Sequence, residues 1–283
     1  GSCNVAIGQE VLYNNTTGDY NTALGYRGLY NSLSGDHNFA AGNCALYSNW
    51  GGCHNTAIGY QALTTNTTGC YNTAIGCRAL QSNTTGVHNN ALGFYALSQN
   101  TTGDYNNAIG NSALCQNTTG CYNNAIGYKA LASNTTGGKN NAIGAYILNS
   151  NTTGSDNFAV GFYTAQNNTT GVYNTALGRY ALNSNTTGCY NFAAGHCSNF
   201  NAVSGQHNIS IGQMSLVGAS GSNGSCNIAL GRESLKCNAA GGNNNAIGCY
   251  ALWSNTTGCY NNAIGSNALR CNITGSNNIG MGQ

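Results

Sequence analysis

The chain has 283 residues with 41 glycines, no proline, 5% charged residues and a formal net charge of +2. About a quarter of a typical globular domain is charged, and nucleic-acid-binding proteins carry a basic excess that neutralises phosphates. We therefore expect neither an ordinary enzyme domain nor a nucleic-acid-binding protein. No apolar run reaches the ~18 residues that span a bilayer, so we also expect no membrane span.

A glycine recurs every 17 residues from Gly8 to Gly212, and the series resumes two residues late at Gly231. With Gly1 as repeat position 1, the chain divides into sixteen full units and a partial seventeenth. The two extra residues lie within 216–223, where we expect a small loop. A repeat this short and regular is typical of a solenoid. We therefore interpret residues 1–283 as a single repeat domain.

Each unit reads approximately G-x-Y-N-[NT]-A-[IL]-G-x-x-A-L-x-S-N-T-T. Its two short alternating stretches are separated by Gly and NTTG, which predicts strand, turn, strand, turn in that order. The frequent glycines argue against helix. The pattern predicts an all-β fold, a parallel β-roll or β-solenoid of about 17 coils stacked at ~4.8 Å. Apolar positions 7 and 12, such as Ile58 with Leu63, are the predicted core.

Two positions hardly vary among the units. Position 4 is Asn in every unit, from Asn4 to Asn278, which predicts a ladder of stacked amides or a turn-stabilising role, with ligand binding as the alternative. Position 6 is Ala except at Ser210 and Gly280. Small side chains permit close approach, so we expect position 6 to face the interior of the roll or a neighbouring chain.

The phrases NTAIGYQAL (55–63), NNAIGYKAL (123–131) and NTALGRYAL (174–182) resemble the head repeats of trimeric autotransporter adhesins. They are also similar to the NTAIGYxAL...NTTG repeats of phage and algal-virus fibre proteins. The resemblance implies a left-handed parallel β-roll, three chains side by side, and a role in surface fibres or adhesion.

Charged residues separate by repeat position. Four of the six acids lie at positions 2 or 3, and seven of the eight bases lie at positions 9 to 13. A lateral contact that brings positions 2 and 3 of one chain to positions 9 to 13 of another would account for this split.

The fourteen cysteines divide in a similar way, seven against seven, and the chain has no CxxC motif. This number of cysteines indicates an oxidising, extracellular setting, at a cell or virion surface or beyond it. The group at positions 2 or 3 comprises Cys3, Cys53, Cys70, Cys121, Cys189, Cys226 and Cys259; the group at positions 9 to 14 comprises Cys44, Cys77, Cys115, Cys197, Cys237, Cys249 and Cys271.

Matching heights along the roll predict the disulfide pairs Cys53–Cys44, Cys70–Cys77, Cys121–Cys115, Cys189–Cys197 and Cys226–Cys237. Cys259 can take either Cys249 or Cys271. Cys3 is then left with a partner too distant within one chain for a disulfide, so we expect it to join the next subunit. Pairing of Cys53 with Cys70 in one column and free buried thiols are the alternatives.

The sequon N-x-[ST] recurs at position 15 and predicts a line of glycans; the alternative is that NTTG is only the turn that this roll uses. The candidate acceptors are Asn15, Asn66, Asn83, Asn100, Asn117, Asn134, Asn151, Asn168, Asn185, Asn255 and Asn272.

No pattern here predicts catalysis. The six acids are dispersed, and four of the five histidines lie at position 3 as variants of an aromatic column, so we expect no enzyme, no cofactor and no metal site. The leading hypothesis is a structural subunit of an extracellular fibre that associates with itself, laterally and end to end. An adhesive head that binds a host receptor is the alternative, and an ice-binding solenoid is a minor one.

Overall fold

The computed structural model describes residues 1–219 and 221–282. The chain forms two compact units, Gly1–Asn140 and Asn141–Gln283, and each unit is a succession of similar coils. The described residues contain seventeen three-residue strands and no helix. The predicted all-β parallel β-solenoid with its 17-residue repeat is confirmed. Whether residues 1–283 act as one domain stays a prediction.

The first unit contains eight strands, and each strand pairs in parallel with the next one along the chain. Equivalent repeat positions face each other, as Ala74 does Ala91. The strands are β1 (Val5–Ile7), β2 (Thr22–Leu24), β3 (Phe39–Ala41), β4 (Thr56–Ile58), β5 (Thr73–Ile75), β6 (Asn90–Leu92), β7 (Asn107–Ile109) and β8 (Asn124–Ile126).

The second unit continues the pattern with nine strands, again each parallel to the next. Ile209 pairs with Ile228, so this coil absorbs two extra residues without loss of register. The strands are β9 (Asn141–Ile143), β10 (Phe158–Val160), β11 (Thr175–Leu177), β12 (Phe192–Ala194), β13 (Ile209–Ile211), β14 (Ile228–Leu230), β15 (Asn245–Ile247), β16 (Asn262–Ile264) and β17 (Ile279–Met281).

The predicted second strand of each unit is wrong, because positions 9 to 14 form turns. Residues at positions 10 and 12 adopt the left-handed conformation, as at Arg78 (φ 56°) and Leu80 (φ 50°). Successive coils still bond through this segment, for example from Leu80 N–H to the Ala96 carbonyl at 2.9 Å. Position 3 is a third left-handed corner, as at Tyr71 (φ 59°). These corners return the chain to its starting position within 17 residues.

The core is thin and consists mainly of one leucine and two alanines in each coil. Leu80 at position 12, Ala74 at position 6 and Ala79 at position 11 are fully buried. Position 12 was predicted correctly, and position 6 faces the interior of its own coil. The prediction for position 7 is wrong: Ile58 is 38% exposed. Side chains alternate along a strand, so burial of position 6 turns positions 5 and 7 outward.

The two invariant glycines of each coil are required by close packing between coils. At position 8, Gly76 has a φ of 135°, and a Cβ there would lie 2.5 Å from the Gly93 carbonyl oxygen of the next coil. At position 1, a Cβ on Gly69 would lie 2.5 Å from both the Asn66 Oδ1 atom and the Gly86 carbonyl oxygen. A larger residue at either position would force the coils apart.

Candidate functional site

Position 4 forms the predicted asparagine ladder inside the solenoid. Asn55 donates from its backbone N–H to Asn38 Oδ1 at 3.0 Å, and from Nδ2 to the same oxygen at 3.2 Å and to the Gly69 carbonyl at 2.8 Å. Asn38 and Asn55 are buried. The amide is fully committed to the coil above and the coil below, which favours the structural interpretation over ligand binding.

Position 15 forms a second ladder that the sequence analysis did not predict. Asn66 Nδ2 donates to Asn49 Oδ1 at 2.7 Å and to the Gly69 carbonyl at 2.8 Å, and Asn83 repeats both bonds one coil later. The recurrence of Asn at position 15 could have predicted this ladder. We interpreted it as a glycosylation sequon instead, because Asn is usually followed there by two threonines.

The predicted glycosylation does not fit this geometry. A glycan is attached at Nδ2, and in the ladder that atom is buried and already donates two hydrogen bonds, as in Asn66 and Asn100. Attachment would replace one of the two Nδ2 hydrogens, so at least one of these bonds would be lost, and it would place a sugar inside the coil. We expect the intact mass of the purified protein to equal that of the polypeptide alone; any added hexose mass at position 15 would contradict this expectation.

Position 2 is a column of side-chain hydrogen-bond acceptors. Asp104 Oδ1 accepts the backbone N–H of Val87 at 2.8 Å, Cys53 Sγ accepts that of Asp36 at 3.4 Å, and Ser276 Oγ accepts that of Cys259 at 3.0 Å. Cysteine at this position thus takes the same structural role as aspartate and serine. The acceptor bond also lowers the pKa of the Asp19 carboxyl, through donation by the backbone N–H of Ser2.

The position-2 thiols use their remaining hydrogen-bonding capacity locally. Cys70 Sγ accepts the Cys53 N–H at 3.2 Å and donates to the Thr68 carbonyl at 3.4 Å. Cys121 Sγ likewise accepts the Asp104 N–H at 3.3 Å and donates to the Thr119 carbonyl at 3.3 Å. A disulfide at either position would remove the S–H donor and with it the bond to the threonine carbonyl.

All fourteen cysteines are free thiols in the structure, and Cys3, Cys226 and Cys271 are exposed. Burial raises the pKa of Cys53, Cys115, Cys197 and Cys237. Those groups stay protonated to higher pH and are poor nucleophiles for thiol exchange. The predicted pairings therefore stay predictions, and the three exposed thiols are the most accessible for pairing between chains.

Position 3 forms a column of stacked rings, as predicted for its histidines. In the first unit, rings in adjacent coils stack 4.9 to 5.0 Å apart with interplanar angles of 3° to 10°. The rings between the two ends of the column stack on a neighbour on both sides, and Tyr71 and Tyr105 are nevertheless 53% and 47% exposed. Its members are Tyr20, His37, His54, Tyr71, His88, Tyr105 and Tyr122.

The bases at positions 9 to 13 lie over aromatic rings of the same face. The Arg179 guanidinium is 4.9 Å from the Tyr180 centroid, and that of Arg270 is 5.1 Å from Tyr250. Two acids that depart from the charge rule lie here too: Glu10 pairs with Arg27 at 2.6 Å and Glu233 with Lys236 at 2.9 Å. Lys236 lowers the pKa of Glu233, with a smaller contribution from Trp253. Contacts within one chain thus account for much of the charge pattern.

In β4–β7 the outward face of the strands carries a row of large aliphatic side chains at position 7. In consecutive coils Ile58, Ile75, Leu92 and Ile109 are 36% to 38% exposed. Soluble monomers rarely expose contiguous apolar rows. We refer to positions 5 and 7 of the strands as the strand face.

Residues 1–219 and 221–282 contain no cluster of three or more His, Cys, Asp or Glu side chains arranged to hold a metal ion. Within the same residues there is no helix of the length and hydropathy needed to cross a membrane. No protein-family model and no curated protein matches the chain. The resemblance to adhesin heads and viral fibres stays a prediction.

Proposed function

We propose that this protein is a structural subunit of an extracellular fibre, in which copies associate laterally through the strand face, three chains side by side, and end to end through disulfides. The observation that supports lateral association best is the position-7 row. Ile58, Ile75, Leu92 and Ile109 place one aliphatic side chain per coil on the outside of β4–β7. Pairing of two such rows removes apolar surface from water at about 25 cal/mol per Å².

The thin core is a second argument for association. A typical coil buries one leucine and two alanines, as Ala74, Ala79 and Leu80 do, and such small side chains contribute little area compared with the large residues of a typical core. A second sheet against the strand face would add a layer of burial that a single coil lacks.

This surface replaces the lateral contact suggested by the charge pattern. Asp19, Asp36 and Asp104 already accept backbone N–H groups of the preceding coil, and the bases lie over rings of their own chain. Neither group depends on a partner chain for its contacts. The strand face, in contrast, carries the partly exposed aliphatic row of position 7 beside the mainly Thr and Asn side chains of position 5.

The proposal is tested with Ile58→Thr, Ile75→Thr and Ile109→Thr combined, since threonine retains the β-branched shape and adds a polar group. Sedimentation velocity and electron microscopy of the full chain should show laterally bundled filaments for the wild type and thinner or dissociated species for the variant. The matched control is Val87→Thr, Val172→Thr and Ile273→Thr, which removes three aliphatic side chains from other positions. A monomeric wild type, or equal dissociation in the control, would overturn the proposal.

The adhesive-head alternative has a weaker basis in the structure. Its support is the number of tyrosines that lie exposed on other faces of the coil, such as Tyr60 and Tyr71. The ice-binding alternative is weaker still: position-16 hydroxyls donate to backbone carbonyls of the next coil, as Thr84 does to Thr101 at 3.0 Å, which leaves position 17 as a single exposed threonine rank.

A further inference from the structure

Repeat position 9, which follows the glycine after each strand, alternates between aromatic and non-aromatic residues. In the first unit a ring occurs in every second coil, with 34 residues between successive rings, and the sequence continues this interval with Phe162 and His196. The rings of the first unit are Tyr26, Tyr60, Phe94 and Tyr128; the coils between them carry Asn43, Cys77 and Asn111.

This alternation separates the rings by two coils, or about 9.6 Å at the usual strand spacing. Rings at that distance do not stack on each other, unlike the rings of position 3. Tyr60 is 46% exposed, Phe94 49% and Tyr128 41%, fractions similar to that of Tyr105 (47%) at position 3, so the two columns differ in the spacing of their rings and not in their exposure. Position 9 therefore presents separate, partly exposed rings at two-coil intervals, whereas position 3 presents a continuous stack of rings.

Neighbouring side chains contact these rings, and a cation lies over one face of two of them: Arg27 over Tyr26 and Lys129 over Tyr128. The Arg27 guanidinium lies 4.9 Å from the Tyr26 centroid, and the ring of Phe94 meets Tyr95 edge to face at 4.4 Å and 74°. Arg78, in the coil between Tyr60 and Phe94, is held by Gln61 Oε1 at 3.1 Å and by the Tyr95 hydroxyl. The column thus combines fixed rings with guanidinium and amide groups able to bond hydroxyls.

We propose that the position-9 column binds a linear β-1,4-linked polysaccharide of the cellulose or chitin type, laid along the first unit. In such a chain every second sugar presents the same face, so the chemical repeat is two sugars. The aromatic residues of position 9 likewise repeat every two coils. Each ring packs against the apolar C–H face of every second sugar, as aromatic side chains pack against other flat apolar surfaces. Arg78 and the side-chain amides of Asn43, Gln61 and Asn111 donate hydrogen bonds to the hydroxyls of the sugars that lie between successive rings.

The proposal goes beyond the fibre role and does not depend on it. The strand face and the position-9 column lie at different repeat positions, so a subunit can bind polysaccharide whether or not it associates with other copies. Polysaccharide binding and lateral association are measured separately, and the failure of one leaves the other standing.

The experiment measures binding of the purified full chain to microcrystalline cellulose and to chitin by depletion from solution, and to hydroxyethylcellulose by affinity electrophoresis. The test variant is Tyr60→Asn, Phe94→Asn and Tyr128→Asn, because Asn43 and Asn111 show that the repeat accepts Asn at position 9. Loss of three stacking rings should weaken binding by roughly tenfold or more. Circular dichroism checks that the variant is folded.

Two controls separate ring position from ring number. Tyr71→Asn, Tyr105→Asn and Tyr122→Asn remove the same number of rings from position 3 and should leave the affinity within about twofold. Tyr60→Asn with Cys77→Tyr keeps the ring count of position 9 but breaks the two-coil interval, and it should lose binding. Absence of wild-type binding to both β-1,4-linked polymers, binding only to an acidic polymer such as polygalacturonate, or equal losses in the position-3 control would each overturn the proposal.

Discussion

At repeat position 2, aspartate, cysteine and serine make the same hydrogen bond. Each places a γ or δ atom where it accepts the backbone N–H of the preceding coil, as Asp36 does for Asp19 at 2.7 Å and Cys189 for Val172 at 3.4 Å. A sequence shows that these residue types share a position, but not that their side chains share an acceptor role. The cysteines at position 2 therefore have a local structural role, as hydrogen-bond acceptors, that does not involve a disulfide.

This role predicts different outcomes for two substitutions of Cys70. Serine keeps an acceptor at the γ position, as Ser225 and Ser276 do in other coils, so Cys70→Ser should change the unfolding free energy by only a few tenths of a kcal/mol. Cys70→Ala leaves the Cys53 N–H without this acceptor and should cost about 0.5 to 1.5 kcal/mol. Urea denaturation of both variants measures the difference, and equal stabilities would show that the bond contributes nothing.

At the scale of the coil, periodicity was enough to predict the fold class but not the assignment of faces. The 17-residue interval, the glycines and the alternation around Ala74 predicted stacked parallel strands, and the structure has them. Alternation over three residues is compatible with either face being inside. The deciding factor is volume: the coil closes so tightly that alanine fits beneath the strand, and Ile75 must point outward.

The turns were the other element that sequence reasoning missed. Leucine is rare in the left-handed conformation, yet Leu63 and Leu97 adopt it with φ of 53° and 50°. Burial and the hydrogen bonds between coils offset a local cost of about 1 to 2 kcal/mol per residue. Local propensity therefore pointed to a strand where the stacked coils impose a corner.

The assignment of faces predicts unequal costs for two aliphatic truncations. Leu97 is fully buried and Ile109 is 38% exposed. Leu97→Ala should cost about 2 to 5 kcal/mol, since the cavity lies between coils that cannot collapse. Ile109→Ala in the dissociated chain should cost less than about 1.5 kcal/mol, because solvent already covers part of that side chain. Thermal and urea unfolding compare the two, and a reversed order would contradict the assigned core.

Two coils of the second unit depart from the leucine column, with Ala165 and Asn199 at position 12. Asn199 is fully buried at position 12, and neither its Nδ2 nor its Oδ1 atom has a hydrogen-bond partner. Asn199→Leu restores the residue found at Leu182 and Leu216, so it should raise the unfolding free energy by about 1 to 3 kcal/mol.

The matched control is the same Asn→Leu substitution at Asn191, a buried residue of the position-4 ladder whose amide is fully hydrogen-bonded. Asn191 donates through its backbone N–H and Nδ2 to Asn174 Oδ1 at 3.1 and 3.2 Å, and through Nδ2 to the Gly205 carbonyl at 2.8 Å. Asn191→Leu should destabilise the chain. If Asn199→Leu destabilises it as well, the buried amide has a partner or role that the protein contacts do not reveal.

For the whole molecule, the same coil carries different chemistry on different faces. Ladders at positions 4 and 15 and the leucine column hold the coils together, while the strand face, the stacked rings of position 3 and the spaced rings of position 9 face outward. Because interior positions are nearly invariant, variation among the repeats concentrates on the outside. A function of the molecule is therefore to be sought among the outward-facing positions of its coils.

End-to-end linkage of this molecule is predicted to depend on Cys3 and Cys271. Both thiols are exposed, and the height-matched scheme leaves Cys3 for a partner in another subunit. The oxidised full chain should run as a ladder of multiples in non-reducing electrophoresis, and Cys3→Ser or Cys271→Ser should collapse that ladder to one band. Cys70→Ser removes a thiol that already forms hydrogen bonds with the Cys53 N–H and the Thr68 carbonyl. This variant should still show the series of multimer bands. A single monomer band for the unreduced wild type would rule out the end-to-end disulfide. Loss of the multimer bands in Cys70→Ser would show that the disulfide between chains forms at position 2.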